Sequence, residues 1–428
     1  MSYPFIDLVD KVEFFGHGMS TRIIATPTDK LDDAVRKNRD ECFGVFHTGT
    51  YRNPISNATD NRPMRFGVRD MWIRTSTQKG YINVQQVTDN MHAGQPLGNV
   101  AGVILHTEFK GKPNDPEAVP SLSNLEIWDV DMGVAILGLH DRGMKVDKIR
   151  VRKSLRQGLL VGKPVGHPLR RIDDNNPGGA DNKFLTVDIS DANLSGKNYA
   201  GIEIYASQCK FFGSTSWYNR RSMLKNSIYV TRKENQSDNQ YTAKAGAGWY
   251  VAGTRNLFQG CTAQENGGHG WFALMPRNNY VGCIGESSSC ESSSWHDAVS
   301  GTASNHEAAN WYISSWASDC TFTAVRSDNP YGPSQEVPLE TILASLWGFY
   351  LEGSVRRLNI IGANVYDQCH MNYEDNNKPK PKALEGAWKF SIEIPLKQAC
   401  KIEINQYAYT SNDTAEKKLN PKDYPLKK

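Results

Sequence analysis

Three glutamates that lie close together in the chain, Glu265, Glu286 and Glu291, have the side chains that hydrolysis of a glycosidic bond requires. That reaction uses two carboxyl groups, about 5–5.5 Å apart when the sugar configuration is retained and about 6.5–9.5 Å apart when it is inverted. One group protonates the leaving oxygen, and the other attacks the sugar or activates a water molecule. We predict that Glu265 and Glu286 form this pair, with Glu291 as a substitute for either.

Aromatic and basic residues near these acids supply what the recognition of a sugar requires. Trp217 and Tyr218 offer flat apolar faces that also carry a polar group. Arg220 and Arg221 follow them and suit an acidic sugar or a pyruvate substituent. Together with His269 they form the predicted substrate-binding set. The alternative for the aromatic residues is stacking in the core or contact between subunits.

The elements that must position these residues are the coils of a repeat. Three stretches, starting at Gly201, Gly248 and Gly270, open with an apolar run and reach a second glycine twelve residues later. The second and third stretches are offset by 22 residues, so that Cys261 corresponds to Cys283. A period in the low twenties with glycine punctuation indicates a β-solenoid. Equivalent residues on successive coils then lie about 4.8 Å apart.

The repeat converts positions in the chain into distances. Glu265 comes four residues after Cys261, and Glu286 comes three residues after Cys283. The two glutamates are therefore one coil apart and one residue out of register, which puts their Cα atoms roughly 6 Å apart. Either hydrolytic geometry is within reach of side chains at that separation. The alternative is that both are solvated carboxylates of a turn.

His269 occupies the position on its coil that Glu291 occupies on the next, so the pair is predicted to stack on one face. There the two side chains could share a proton or hold a sugar hydroxyl. The triplet Gly268-His269-Gly270 resembles one found in polygalacturonases. That family also requires Asn-Thr-Asp and Asp-Asp on the two preceding coils, and neither is present in register. The sequence therefore argues against polygalacturonase activity.

Composition excludes several classes of function. The net charge of +3 leaves no basic stripe for nucleic acid. The chain has no run of 18 apolar residues, so no membrane span is predicted. The mean hydropathy of −0.55 fits a thin core wrapped by polar turns. The eight cysteines include no CxxC pair, and Cys261 and Cys283 are predicted to be small apolar residues in a core ladder. No metal and no cofactor is predicted.

Two regions carry a family resemblance. The stretch Lys11–Ile24, in which two strands flank a Gly-His-Gly bend, resembles the opening coils of pectate-lyase-like β-helices. The Gly-Cys coils and the coil at Gly348 resemble the tailspike-like polysaccharide depolymerases of bacteriophages and their bacterial relatives. The resemblance implies a homotrimer that binds and cuts capsular or exopolysaccharide. It also implies an extracellular or virion-associated location and a further N-terminal segment upstream. No signal peptide is visible.

The predicted fold is all-β: a single-stranded right-handed parallel β-helix over residues 1–375, followed by a small C-terminal β cap over 376–428. The cap is predicted from two amphipathic strands, at Trp388–Ile394 and Cys400–Asn405, and could act in oligomerisation. A cap is expected because the last coil of a solenoid exposes unpaired backbone groups.

The resulting function prediction is a glycoside hydrolase that cleaves a bacterial capsular or exopolysaccharide. Two alternatives stay open at this point. One is a polysaccharide lyase acting on a glycan that contains uronic acid. The other is a spike that binds its glycan receptor without cleaving it.

Overall fold

Among the residues that it describes, the computed structural model has β-strands and one 3-10 turn, Gly18–Ser20. No helix among the described residues is long and apolar enough to cross a membrane. Contacts divide the chain into two compact units, residues 1–195 with 201–210 and residues 196–200 with 211–428. The described residues are 6–8, 12–25, 41–54, 66–75, 96–108, 120–139, 141–170, 177–195, 197–219, 244–288, 309–329, 347–351, 356–367, 388–390 and 401–404.

The described residues of the first unit form thirteen strands whose ladders are parallel. One sheet has the order β1-β4-β6-β8-β10-β13, and the remaining strands form the second sheet. The predicted opening, a strand, a Gly-x-Gly bend and a strand, is confirmed by β2, the 3-10 turn and β3. The strands are β1 Ile6–Asp7, β2 Val12–Phe15, β3 Arg22–Ala25, β4 Phe43–His47, β5 Phe66–Thr75, β6 Val100–Leu105, β7 Ser121–Val130, β8 Val134–Ile136, β9 Lys145–Ser154, β10 Leu159–Val161, β11 Lys183–Leu185, β12 Asp188–Ser190 and β13 Ile202–Ile204.

The second unit repeats a coil of three short strands. The strands are β14 Lys210–Phe212, which begins at the last residue of the first unit, β15 Thr215–Trp217, β16 Trp249–Val251, β17 Leu257–Gln259, β18 Thr262–Gln264, β19 Trp271–Ala273, β20 Asn279–Val281, β21 Ile284–Glu286, β22 Ala309–Ile313, β23 Thr321–Thr323, β24 Arg326–Asn329, β25 Trp347–Leu351, β26 Asn359–Asp367, β27 Trp388–Phe390 and β28 Lys401–Ile404. One sheet has the order β16-β19-β22-β25-β27, and the ladders are again parallel. Trp249 pairs with Trp271, which confirms the predicted step of 22 residues and the parallel β-solenoid.

The core of the second unit is a double stack of aromatic rings. In β17 and β18, and in the three-residue strands paired with them, the middle side chain points inward, because successive side chains alternate across a strand. Offset or edge-to-face aromatic pairs contribute about 0.5–1.5 kcal/mol beyond the area they bury. The rings of the first stack are Trp249, Trp271, Trp311 and Phe349, with centroids 4.7, 5.0 and 5.9 Å apart. Those of the second are Phe211, Phe258, Tyr280 and Phe322, with centroids 5.2, 4.9 and 4.6 Å apart.

Glycine is required at the two positions of each repeat for different structural reasons. The second one is left-handed, with φ of 61° at Gly260 and 59° at Gly282. The first one makes a close approach, because a Cβ on Gly270 would lie 2.7 Å from the backbone oxygen of Asn310. In these repeats the second glycine meets a backbone requirement and the first meets a steric one, whereas the next coil has Asn310 and Ala324 at the corresponding positions.

We expect Gly282→Ala to lower the free energy of unfolding by about 1–2 kcal/mol, because a left-handed residue with a Cβ costs about that much. A Cβ at Gly282 would meet no atom within 4 Å, so the cost is one of backbone conformation alone. Asparagine visits this region more readily, and Gly282→Asn is the matched control. Urea unfolding of the two variants measures the difference. Equal stability of both would contradict the explanation.

The described cysteines are all buried. Cys261 and Cys283 are both fully buried, and the Cys283 thiol contacts Cys261 across the coil boundary. Burial raises the pKa of the Cys283 thiol well above its usual range. The predicted core ladder of small thiols is confirmed.

The two strands predicted for the C-terminal cap continue the sheets of the second unit. Strand β27 pairs in parallel with β25, and β28 pairs in parallel with β26. The domain boundary at residue 375 stays a prediction.

Candidate functional site

An outward-facing row of side chains crosses four neighbouring strands of the second unit. The third residues of β15, β18, β21 and β24 pair in register across parallel ladders. The middle residues of the same strands are buried, so the third residues point away from the core. Neighbours in the row are therefore about one strand spacing apart, or about 4.8 Å between backbones. In strand order the row consists of Trp217, Gln264, Glu286 and Asp328.

Glu265 lies beside this row, at the corner that follows β18. Its φ is 47°, and its backbone N–H donates to the backbone oxygen of Glu286 at 2.9 Å. Because Gln264 is the residue paired with Glu286, Glu265 is one residue out of register with it. The structure thus brings Glu265 and Glu286 together with the predicted offset. Only 6% of Glu265 is exposed.

Glu286 is the half-buried acid at the centre of this group. Its Oε1 accepts a hydrogen bond from Nε2 of Gln264 at 3.3 Å. Burial raises the pKa of Glu286 above its ordinary value, and the neighbouring carboxylates of Asp328 and Glu265 raise it further. The positive charge of Arg326 opposes this shift. The arrangement favours a Glu286 that carries its proton to a higher pH than a solvated glutamate does.

Asp328 is the acid that the sequence did not single out. Nε of Arg326 donates to its Oδ2 at 2.7 Å, and a second guanidinium nitrogen contacts the same oxygen. Burial raises the pKa of Asp328, while Arg326 holds that increase down. Its Oδ1 is buried and accepts no hydrogen bond from the described residues. One carboxylate oxygen of Asp328 is therefore paired with Arg326, and the other accepts no hydrogen bond from the described residues.

Asp328 escaped prediction because the coil that separates it from Glu286 is 42 residues long instead of 22. The sequence nevertheless contains a pattern that locates Asp328. Thr321-Phe-Thr pairs with Asn279-Tyr-Val in the structure, and in both coils the next strand begins five residues after the first of these. Matching apolar strand centres on either side of the long insertion would have placed Asp328 beside Glu286.

Trp217 and Tyr218 lie at the other end of the row. Their rings are 5.0 Å apart at 47°, and both side chains are partly exposed. Trp217 pairs with Gln264, as the repeat predicts. They form an aromatic surface next to the acids. The other predicted site residues in this region, Arg220, Arg221 and Glu291, lie outside the described residues.

His269 lies on the first sheet of the second unit, directly before Gly270 and β19. Its ring is 4.6 Å from that of Tyr312 and 5.9 Å from that of Phe272. Its Nδ1 accepts the backbone N–H of Ala309 at 3.3 Å. The structure therefore places His269 in an aromatic environment on a different sheet from the row of acids.

Three indole N–H groups hold the strands of the row from inside the core. Each tryptophan of the first sheet donates to the backbone oxygen of the first residue of a strand in the second sheet. The strands held in this way are β18, β21 and β24, which carry Gln264, Glu286 and Asp328. The bonds run from Trp249 to Thr262 at 2.9 Å, from Trp271 to Ile284 at 2.8 Å and from Trp311 to Arg326 at 2.9 Å.

Buried polar side chains fix the corner on which Glu265 lies. Nδ2 of Asn219 donates to Oδ1 of Asn266 at 2.7 Å, and Asn266 in turn contacts Oγ of Ser288 at 3.4 Å. The backbone N–H of Ser288 donates to Oδ1 of Asn310 at 2.9 Å. All four side chains are fully buried. Satisfied polar networks of this kind rigidify a fold, so the acids project from an ordered corner.

The described residues include no grouping of three or more His, Cys, Asp or Glu side chains suited to a metal ion.

Comparison with known proteins adds one structural neighbour. No protein family matches the sequence, and no curated protein matches it. A solved structure, the A-module of the mannuronan C-5 epimerase AlgE4 from Azotobacter vinelandii, is similar with a TM-score of 0.46 and 11% identity. The match covers 93% of this chain and 85% of that one.

Proposed function

We propose that this protein is a glycoside hydrolase that cleaves a bacterial capsular or exopolysaccharide at the row formed by Trp217, Gln264, Glu286 and Asp328. The observation that carries the proposal is the juxtaposition of Glu286, Asp328 and Glu265 beside a partly exposed aromatic pair. Hydrolysis of a glycosidic bond uses two carboxyl groups, which neighbouring strands supply here, and sugar binding uses aromatic faces.

Glu286 is the proposed proton donor. A general acid must hold its proton near the working pH, and the raised pKa of Glu286 serves that requirement. Asp328 is proposed as the carboxylate that attacks the sugar or activates water, since Arg326 favours its ionised form. Glu265 adds negative charge that keeps Glu286 protonated. Glu265 is the alternative second carboxylate, and Glu291 stays a predicted substitute.

The spacing of the strands bears on the stereochemistry. Glu286 and Asp328 face the same way on adjacent strands, which are about 4.8 Å apart. That spacing favours the separation of about 5–5.5 Å that retaining enzymes use. We therefore propose retention of configuration at the cleaved sugar.

The function is tested by incubating the purified protein with a panel of capsular and exopolysaccharides. A hydrolase produces new reducing ends without the ultraviolet absorbance of an unsaturated uronate. Appearance of that absorbance would replace the proposal with a lyase, and binding without any fall in viscosity would replace it with a receptor spike. The first products, followed by proton NMR, report retention or inversion.

We expect Arg326→Gln to move the pH optimum of hydrolysis upward. Arg326 lowers the pKa of both Glu286 and Asp328, so its removal raises both. The acid limb, set by ionisation of Asp328, and the alkaline limb, set by deprotonation of Glu286, then shift to higher pH together. A pH profile of kcat measures the shift.

Arg357→Gln is the matched control for that experiment. Arg357 forms an exposed ion pair with Asp319 in the same unit, at 2.7 Å for one of its bonds, so its loss changes the net charge by the same amount. We expect its pH profile to follow the wild type. Equal shifts in both variants would assign the effect to net charge and remove the role given to Arg326.

The assembly and location are proposed with the function. We propose a homotrimer that acts outside the cell or on a virion, as the tailspike resemblance implies. Light scattering is expected to give three times the chain mass of 47.8 kDa. A monomeric mass would contradict the trimer.

A further inference from the structure

A second polar cluster lies in the first unit, at the carboxyl ends of strands in its first sheet. His106 directly follows β6, and Glu108 comes two residues later. Lys163 follows β10 by two residues, and His167 belongs to the loop that continues from it. None of these residues belongs to the row proposed for hydrolysis. We call these four side chains the His106 cluster.

His106 presents an unused acceptor. Its side chain is fully buried, and its Nδ1 donates to the backbone oxygen of Thr50 at 2.9 Å. Burial lowers the pKa of His106 to about 3, so the ring is neutral and its Nε2 carries a lone pair. Within the described part of the chain Nε2 is buried and receives no hydrogen bond. A buried acceptor without a donor is unfavourable, so a group with a donor is expected there.

A cation and an anion converge on the same point. The Lys163 ammonium, with 4% of its side chain exposed, contacts Oε1 of Glu108. That oxygen lies 3.8 Å from Nε2 of His106, beyond hydrogen-bond distance. Because both atoms are acceptors, they do not satisfy each other. Glu108 keeps 20% of its side chain exposed and marks the side from which a ligand would enter.

His167 forms a fixed, uncharged wall. Its ring lies 5.8 Å from that of His106 and 4.8 Å from that of Tyr51, edge-on in both cases. Its Nε2 donates to the backbone oxygen of Tyr51 at 2.7 Å, and its Nδ1 accepts the N–H of Leu169 at 3.2 Å. Burial lowers the pKa of His167 to about 4. The ring is therefore neutral and its orientation is set on both sides.

We propose that the His106 cluster binds a hydroxyl group of a neutral sugar, which donates to Nε2 of His106 and accepts from the ammonium of Lys163. A hydroxyl is both donor and acceptor, as this pair of partners requires. Glu108 balances the Lys163 ammonium and both histidines are neutral, so an uncharged pyranoside fits better than a uronate. The choice of a carbohydrate rests on the proposed function.

The test observes His106 directly in the full chain. Protein with 15N-labelled histidine and the Glu286→Gln substitution, which is expected to slow turnover, is titrated with methyl glucoside, methyl galactoside and methyl glucuronide. Long-range proton–nitrogen NMR is expected to show the Nδ1–H tautomer of His106. Its Nε2 signal should shift when at least one neutral glycoside is added. The affinity read from this titration should be at least tenfold higher than the affinity for the glucuronide. The exposed ring of His17 is the internal reference.

A pair of variants separates the cluster from general charge effects. Glu108→Gln leaves Lys163 unbalanced and is expected to reverse the preference, so that methyl glucuronide binds at least as tightly as the neutral glycosides. Asp147→Asn makes the same charge change at the ion pair with Lys145, 3.4 Å long and remote from the cluster in sequence, and is expected to leave the preference unchanged.

Two outcomes would overturn the inference. One is a His106 Nε2 that already reports a hydrogen bond and moves with none of the three glycosides, which would assign the place to a resident water. The other is a preference that Glu108→Gln does not alter. Failure of the proposed function is distinguishable, because wild-type protein that cleaves no polysaccharide while His106 responds to a glycoside would remove only the hydrolase.

Discussion

Glu286→Gln is expected to lower kcat for polysaccharide cleavage by about 10²–10⁴-fold, the contribution typical of a positioned general acid. The amide keeps the shape of the side chain and its contact with Gln264 on the neighbouring strand, but it has no proton to give to the leaving oxygen. Substrate affinity should change little, because Trp217 and Tyr218 are untouched. Reducing-end kinetics on the polysaccharide identified in the screen provide the measurement.

Neighbouring substitutions decide which acid is the partner of Glu286. Asp328→Asn should reduce kcat as strongly as Glu286→Gln if Asp328 is the second carboxylate. Glu265→Gln should then have a smaller effect and move the alkaline limb to lower pH, since Glu265 raises the pKa of Glu286. The reverse ranking would restore Glu265 as the catalytic partner.

Glu126→Gln is the matched control for these substitutions. Glu126 has 18% of its side chain exposed and forms an ion pair with Arg150 at 2.8 Å in the first unit. We expect wild-type turnover from this variant. Wild-type turnover from a folded Glu286→Gln protein would remove Glu286 from the mechanism.

The regular coils of the second unit were predictable because a parallel solenoid maps sequence period directly onto register. The offset between Glu265 and Glu286 followed from two cysteines and is seen in the hydrogen bond between their backbones. Asp328 was not predictable by the same rule, because the longer coil breaks the period that carries the register. Its pairing with Glu286 depends on which strand follows the insertion.

The His106 cluster was beyond the reach of the sequence for a different reason. The coils of the first unit differ in length, so no constant period relates Thr50, His106 and Lys163. Their approach follows from the pairing of β4 with β6, of β6 with β8 and of β8 with β10, which brings the carboxyl ends of all four strands to one edge. A pattern of single polar residues after apolar runs does not specify that pairing.

The bonds from tryptophan to the strands of the candidate site show why core and site are coupled in this fold. In two of the three coils the indole is recognisable in the sequence as an apolar residue after a glycine, at Trp249 and Trp271, whereas Trp311 follows an asparagine. The acceptor of each indole lies across the core, on the third strand of the same coil, and is set by the cross-section of the solenoid. The same three tryptophans thus stabilise the core and fix the strands that carry Gln264, Glu286 and Asp328.

Trp271→Ala is expected to lower the free energy of unfolding by about 3–5 kcal/mol, as truncation of a large buried aromatic residue does. Trp271 is fully buried and stacks between Trp249 and Trp311 at 4.7 and 5.0 Å. Its removal opens a cavity in the aromatic stack and breaks the hydrogen bond to the oxygen of Ile284. Urea unfolding followed by circular dichroism gives the loss.

Trp271→Phe separates the two contributions. Phenylalanine keeps an aromatic ring in the stack but cannot donate to Ile284, so we expect a loss of about 0.5–1.5 kcal/mol, the net contribution typical of one hydrogen bond. Because Ile284 begins the strand that ends at Glu286, the variant should also lower kcat while KM stays close to that of the wild type. Trp316 lies in the same unit and is 70% exposed. The free energy of unfolding of Trp316→Ala should therefore stay within about 0.5 kcal/mol of that of the wild type. A Trp271→Phe protein with wild-type stability and wild-type kcat would show that the indole bond neither stabilises the core nor positions Glu286.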